Sequence, residues 1–262
     1  MKSFSYVTLT TNRDVKGVVA LHNSLASNGS SYPVVCLFSE LSDSNKARLS
    51  KLKNVILREV DPIYNPYGSD NRFPTCFNKL YCWSLEEYDR VIFLDSDVLN
   101  LNNMDHLFDH DYSPSLLCVT DPKDYYVEQR VEWYARVKKN RKGEKKTHFS
   151  SADWSSGFLI LKPDKILFKD LLSKLGSIES FDSADLGFFN TYFKDKISII
   201  DESYNYLIRN FDGRFDGINK FESERDSIYN LHYLGSHKPW HKGRPPWGHK
   251  FLWELWNNYY ES

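Results

Sequence analysis

Apolar residues fall in short dense runs, separated by stretches with helical spacing, and this alternation starts near the N-terminus. FSYVTLTT (4–11) is aromatic and β-branched and ends in polar Thr10, Thr11 and Asn12, which predicts a strand with a polar carboxyl end. VKGVVALHNSLAS (15–27) carries Val15, Val18, Val19, Leu21 and Leu25 at helical intervals. YPVVCLFSE (32–40) reads as a buried strand, SDSNKARLSKL (42–52) as an exposed helix behind a Ser or Asp cap, and VILREV (55–60) as a third strand. A helix is predicted over 76–87, with Phe77, Leu80, Trp83 and Leu85 toward one side. VIFLD (91–95) and SLLCVTD (115–121) follow as strands four and five, and SGFLILKP (156–163) as a strand stopped by proline. Helices near 164–176 and 183–194, short strands ISIID (197–201) and IYNLHYLG (228–235), and an aromatic amphipathic helix within 249–262 complete the pattern.

Strands alternating with helices predict an α/β fold: a mostly parallel central sheet flanked by helices, Rossmann-like, with ligands gathered at the carboxyl ends of the strands. No repeat or long linker interrupts the chain, so a single domain over 1–262 is expected. The regularity breaks at 122–150, where seven basic residues lie between Arg136 and Lys146 against one acid, Glu144. That stretch reads either as a solvated loop or as a lid or acceptor-binding insertion that meets an anionic partner.

Composition narrows the classes. The 34 basic and 35 acidic residues leave a net charge of −1, so no global field draws the chain to nucleic acid or anionic membrane. Aromatics reach 16%, which suits both large cores and sites that stack on rings. Cys36, Cys76, Cys82 and Cys118 lack paired metal spacing and read as reduced, buried thiols. No run has the length of a membrane span, and MKSFSYVTLTT lacks a signal-peptide core. A soluble, cytoplasmic protein is the expectation.

Chemistry concentrates at a few places. Asp95 and Asp97 directly follow VIFL, where a parallel sheet presents residues to its ligand crevice. Two carboxylates so close repel unless a cation neutralises them, and Mg²⁺ or Mn²⁺ does so with carboxylate, phosphate and water oxygens. The triplet alone is equally compatible with turn carboxylates capping local amides. The cluster LHYLGSHKPWHKG (231–243) favours the cation: His232 suits Mn²⁺ beside carboxylates, Lys238 is a point charge for a phosphate, and Gly235 permits close backbone approach. A core histidine beside a solvated lysine is the plainer alternative. His237, His241 and His249 lack the partners of a zinc site. Asp182 and Asp185, three apart at a predicted helix start, fit either capping or a polar edge for a sugar ring. SSG at 155–157 offers hydroxyls and close backbone approach, and Thr11 and Asn12 could cradle a nucleoside.

In order, YVTLTTN, NKLYCWSLEEYDRVIFLDSDVLNLNNMDHLF (78–108), SSGFLIL, SFDSADLGFFNTYF and HYLGSHKPW resemble the glycogenin-like branch of glycosyltransferase family eight. The matching pieces are collinear and cover most of residues 4–240. The resemblance implies a GT-A nucleotide-sugar-binding fold, Mn²⁺ dependence (with Mg²⁺ as the alternative ion), and transfer from a UDP-sugar with retention of configuration. It implies that Asp95, Asp97 and His232 ligate the metal and Ser96 touches the ribose. Leu9, Thr11 and Asn12 would hold uracil and ribose, and Lys79 and Arg72 the sugar–phosphate portion. Ser155 and Ser156 would line the sugar pocket, Asp182 and Asp185 bind the sugar hydroxyls, and Gly235 and Lys238 grip the diphosphate.

Four departures stand out. Leu186 replaces a glutamine that lies near the anomeric carbon in glycogenin, and Ser155 replaces an asparagine. The acceptor tyrosine of glycogenin has no counterpart in NYLIRNFDGRFDGINK (205–220), where Tyr206 is out of register, so self-glucosylation is not expected. The insertion at 122–150 is larger than the segment it replaces. The expected activity is Mn²⁺-dependent retaining transfer of a hexose from UDP-glucose or a similar donor to a saccharide, protein or small-molecule acceptor, with Asp185, Asp182 and Lys238 as the catalytic set. The alternatives are a non-catalytic UDP-sugar-binding protein, a self-glucosylating primer or a metal-dependent phosphoester hydrolase. A homodimer is compatible with the sequence, and nucleic-acid binding is not expected.

Overall fold

A computed structural model describes residues 2–68, 74–110, 117–120, 154–194, 196–211, 217–235, 237–241 and 250–262. Seven strands form the main sheet: β1 (Phe4–Leu9), β2 (Val34–Phe38), β3 (Val55–Glu59), β4 (Arg90–Leu94), β6 (Leu117–Thr120), β7 (Phe158–Leu161) and β8 (Ile197–Ile200). Their spatial order is β3-β2-β1-β4-β7-β6-β8. The first four strands of that order are mutually parallel, β6 and β8 are parallel to each other, and β7 runs antiparallel between β4 and β6. The mostly parallel α/β expectation therefore holds, with one reversed strand beside β4. Helices α1 (Val15–Ser27), α2 (Asp43–Leu49), α3 (Lys165–Lys174) and α4 (Asp185–Tyr192) connect or flank these strands. Ser42 caps α2, its hydroxyl accepting from the Asn45 N–H at 3.3 Å.

Strand alternation sorts side chains to two cores. Tyr6, Ile92 and Leu94 pack on one face of the sheet with Phe108 and Phe158, whereas Val7 and Phe93 pack on the other with Trp83 and Phe188. Cys36, Cys76 and Cys82 are free thiols, and burial pushes Cys36 up to about 12, which leaves it unreactive near neutral pH.

The helix predicted over 76–87 is instead a 3₁₀ helix, Cys76–Ser84. With three residues per turn, Phe77, Leu80 and Trp83 fall on one line, and all three are fully buried. Cys76, Lys79 and Cys82 form the adjacent line. A 3.6-residue helix would rotate these rows apart, so burying two adjacent rows favours the tighter winding. It also delivers Lys79 into the interior. The start of the helix predicted near 183–194 moves as well: α4 begins at Asp185, and Asp182 precedes it.

A second sheet, of order β5-β10-β9, is built from β5 (Val98–Asn100), β9 (Tyr206–Leu207) and β10 (Asn230–His232). Helix α5 (Gly217–Glu224) precedes β10, and the C-terminal helix α6 (Lys250–Glu261) docks where the aromatic pattern places a helix. Leu252 and Trp256 of α6 pack with Ala20 of α1, Leu99 and Tyr233. The insertion at 122–150 and Arg72 lie outside the described residues. Among the described residues, no helix is long and apolar enough to cross a membrane.

Candidate active and metal site

The Asp95-Ser96-Asp97 triplet is the corner between the two sheets. Strand β4 ends at Leu94 in the large sheet, and β5 begins at Val98 in the small one. On one side of the corner, Asp95 N–H donates to the Gly157 carbonyl at 3.0 Å, continuing the antiparallel β4–β7 pairing. On the other, His232 pairs with Val98 in the β5–β10 ladder, and Tyr233 N–H donates to the Asp97 carbonyl at 2.8 Å. Two ladders thus fix three side chains from distant parts of the sequence.

One ligand atom each from Asp95, Asp97 and His232 lies within 4.8 Å of the others. His232 Nε2 is 3.3 Å from Asp97 Oδ1, and its Nδ1 faces Asn205 Oδ1 at 3.0 Å. Gly157 makes this approach possible: a Cβ there would stand 2.4 Å from His232 Cε1 and 3.1 Å from Asp95 Oδ2. Two carboxylates and an imidazole in a cradle kept open by a missing side chain form a donor set that could hold a divalent cation such as Mn²⁺. Lys238 Nζ reaches the same centre, paired with Asp97 Oδ2 and donating to the Tyr233 carbonyl at 3.0 Å. The preceding turn passes through Gly235 at φ +101°, a conformation that favours glycine.

A second pole is joined to the first by Lys79. Its buried ammonium lies 3.2 Å from Asp95 Oδ1 and donates to Asp185 Oδ2 at 2.6 Å and to the Ser156 carbonyl at 2.9 Å. Ser156 Oγ also donates to Asp185 Oδ2, at 2.9 Å. All three ammonium protons therefore have protein partners, and Lys79 bridges the metal-type cluster to the carboxylate expected at the sugar. Burial works against the charge of Lys79, but Asp185 and Asp95 outweigh it and raise the ammonium above its ordinary range.

The two corner carboxylates are pushed apart. Burial raises Asp95 above the ordinary aspartate value, with the charge of Asp97 adding to the effect and Lys79 opposing it. Burial also disfavours ionised Asp97, but Lys238 and His232 overcome this and hold it well below the usual range.

Asp182 stands apart from this network. Its Oδ1 accepts from the N–H groups of Ala184 at 3.0 Å and Gly187 at 2.8 Å, and from Ser180 Oγ at 2.9 Å. Ser183, at φ +60°, turns the chain so that Asp182 caps α4 from outside rather than sharing a helix face with Asp185. Burial, then Asp185, raises Asp182, against those N–H bonds.

The remaining expected residues are placed as follows. Thr11 donates to Asp14 at 2.6 Å, and Asn12 Oδ1 accepts from Ser42 N–H and Asn45 Nδ2, each at 2.9 Å. Asn12 also lines a cleft of about 370 Å³ with Arg13, Lys16, Arg48 and Trp240. Leu9 packs partly into the core below the polar end of β1. The Ser96 carbonyl lies 2.3 Å from where a Cβ on Gly17 would stand, so α1 passes against the corner only because residue 17 is glycine. Ser155 Oγ accepts from Gly157 N–H at 3.3 Å, and the Leu186 carbonyl accepts from Asn190 Nδ2 at 2.9 Å. The sequence reading missed Asn205, which no local pattern marks, and the bridging role of Lys79.

The sequence pattern of Glycosyl transferase family 8 matches residues 5–243. "Putative UDP-glucuronate:xylan alpha-glucuronosyltransferase 4" of Arabidopsis thaliana is 27% identical over 242 residues, covering 90% of this chain but only 36% of that protein's length. Galactinol synthase 7 of Arabidopsis thaliana is 28% identical over 262 residues, covering 91% of this chain and 74% of that protein. Among solved structures, galactosyltransferase LgtC in complex with donor and acceptor sugar analogs superposes with a TM-score of 0.65 at 19% identity, covering 98% of this chain and 95% of that one. The reversed β7, the two-sheet corner and the acidic triplet on it belong to a GT-A fold, and with the family pattern running from β1 past Lys238, this chain is a member of glycosyl transferase family 8.

Proposed function

We propose that this chain is a metal-dependent, retaining glycosyltransferase that moves a hexose from a UDP-sugar, UDP-glucose or a close analogue, to a hydroxyl acceptor. The observation that carries the reading is the pair of linked poles. Asp95, Asp97, His232 and Lys238 form a centre suited to a cation and a diphosphate, and Lys79 ties it to Asp185, suited to sugar hydroxyls. Relatives named for UDP-glucuronate transfer and for galactinol synthesis support a nucleotide-sugar donor without fixing which sugar.

In the reaction, the bond between the anomeric carbon and the β-phosphate oxygen breaks as the acceptor oxygen bonds to the same carbon. Mn²⁺ held by Asp95, Asp97 and His232 would supply charge neutralisation to the diphosphate leaving group. Lys238 adds a second positive charge where negative charge develops. Asp185 already accepts from Lys79 and Ser156, which makes it a weak nucleophile and a well-fixed acceptor for sugar hydroxyls. Its role is to orient the ring and stabilise an oxocarbenium-like transition state. The acceptor's proton passes to the departing phosphate, so attack and departure occur on one face and configuration is retained. Leu186 and the segment 122–150 are the positions assigned to donor and acceptor choice. Thr11, Asn12, Leu9, Ser96, Ser155 and Gly235 complete the proposed donor site, with Arg72 at its sugar–phosphate end.

A thermal-shift screen of UDP-sugars with and without Mn²⁺, followed by hydrolysis and transfer assays on each hit, tests this reading. Stabilisation by one UDP-sugar that requires Mn²⁺, with slow hydrolysis of that donor, is the expected result. Turnover that continues unchanged in excess chelator would overturn the metal assignment, and Mn²⁺-dependent binding with no turnover would leave a UDP-sugar-binding protein.

A further inference from the structure

His232 has one neighbour on each ring nitrogen, and the two make different demands. Nε2 faces Asp97 Oδ1 at 3.3 Å, and Nδ1 faces the side-chain oxygen of Asn205 at 3.0 Å. A neutral imidazole carries one proton. With the Asn205 oxygen on Nδ1, that proton must sit on Nδ1, and Nε2 then turns a bare lone pair toward a carboxylate oxygen. Two acceptors facing each other repel unless a cation or a second ring proton lies between them, and the carboxylate of Asp95 converges on the same space.

The other end of the Asn205 amide explains how the protein tolerates this. Asn205 is buried, and among the described residues its Nδ2 has no hydrogen-bond partner. Among the described residues the amide is bonded through one end only, and none of them pins its orientation. Turned over, it would donate Nδ2–H to a bare Nδ1, and the ring proton would move to Nε2 and bond to Asp97. An aspartate at 205 could only accept and would hold the ring in the first tautomer; an amide serves either. The backbone is firmly placed: Asn205 ends a 3₁₀ turn (Glu202–Asn205) directly before β9, which lies parallel to β10 with His232 opposite Leu207.

From this geometry, and resting on the cation reading above, we infer that Asn205 is the positioning residue that sets the tautomer of His232. With a divalent cation present, its oxygen takes the Nδ1 proton and frees Nε2 as a ligand. Without one, its amide turns over and stores the proton on Nε2 against Asp97. Neither state changes the net charge of the pair, because only a proton position and an amide orientation are exchanged.

The test compares the wild-type chain with Asn205→Asp and Asn205→Leu. The ¹⁵N shifts of His232 are read with and without Mg²⁺, a diamagnetic probe, and Mn²⁺ affinity is read by calorimetry. In the wild type the protonated nitrogen should be Nε2 without cation and Nδ1 with it. Asn205→Asp should show Nδ1 protonated in both conditions, with Mn²⁺ affinity equal to wild type or tighter. Asn205→Leu should weaken Mn²⁺ binding by about 10–100-fold, the range for losing a hydrogen-bond partner behind a metal ligand. The Asp variant controls for folding, since it keeps shape and acceptor while exchanging the amide's donor face for a carboxylate oxygen and its charge. One tautomer in the wild type under both conditions, a ring protonated on both nitrogens without cation, or wild-type Mn²⁺ affinity in Asn205→Leu, overturns the inference while leaving the metal site standing. A wild type that binds neither cation overturns the cation reading itself, and this inference with it.

Discussion

At the scale of single residues, Asp97 and Asp95 show how identical side chains two positions apart acquire different properties. Lys238 and His232 hold Asp97 ionised, whereas burial and the charge of Asp97 work against the ionised form of Asp95. Replacing Asp97 by Asn removes the better anion and leaves Lys238 and His232 without their carboxylate. We expect Mn²⁺ affinity to fall by more than ~100-fold, beyond the usual cost of an outer partner, with donor turnover abolished; calorimetry and a donor-hydrolysis assay read both. Gly157→Ala makes a subtler test. Its Cβ would fall 2.4 Å from His232 Cε1, so the ring must move and Mn²⁺ binding should weaken by about 10-fold or more. Unchanged affinity in that variant would mean that the cradle at Gly157 does not shape the site.

At the scale of elements, the 3₁₀ helix at Cys76–Ser84 both packs the core and aims Lys79. Leu80→Ala should cost about 2–5 kcal/mol in urea unfolding, as expected for a large-to-small change at a fully buried position. It should also loosen Lys79, so the KM for donor should rise in the fraction that stays folded. The turn before α4 separates two readings of Asp182. Asp182→Ala loses the bonds to Ala184 and Gly187 and should lower stability by about 1 kcal/mol. Asp182→Asn can restore those bonds through its amide oxygen. If it also restores turnover, Asp182 only caps the helix; restored stability with a fall in kcat would assign it to the sugar.

At the scale of the whole molecule, a cation must compete with protons for the corner carboxylates. Asp97, held below its ordinary range, stays ionised throughout mildly acid conditions. Asp95, held above its ordinary value, takes its proton earlier on acidification than a free aspartate would. Cation affinity should therefore begin to fall on acidification before the pH reaches the range of a free aspartate near ~4, with proton release accompanying binding. Titrations of Mn²⁺ at stepped pH values check this, and affinity flat down to pH 4 would contradict the raised Asp95.

Local pattern determined most element types and the edge of the sheet at which chemistry would sit, and together with the family resemblance it named most residues of the candidate site. Strand and helix periodicities are short-range properties, and an acidic triplet after a buried strand is visible without knowing what lies beside it. The reversal of β7, the 3₁₀ winding of residues 76–84 and the outward place of Asp182 depended on which surfaces had to be buried against which. The family resemblance grouped His232 with Asp95 and Asp97, but only the tertiary structure gave the ladders that hold it at their corner, spanned Asp95 and Asp185 with Lys79, and set Asn205 behind the histidine. Those contacts join residues far apart in the chain through ladder registers and buried charge pairing, and neither leaves a periodic trace in the sequence.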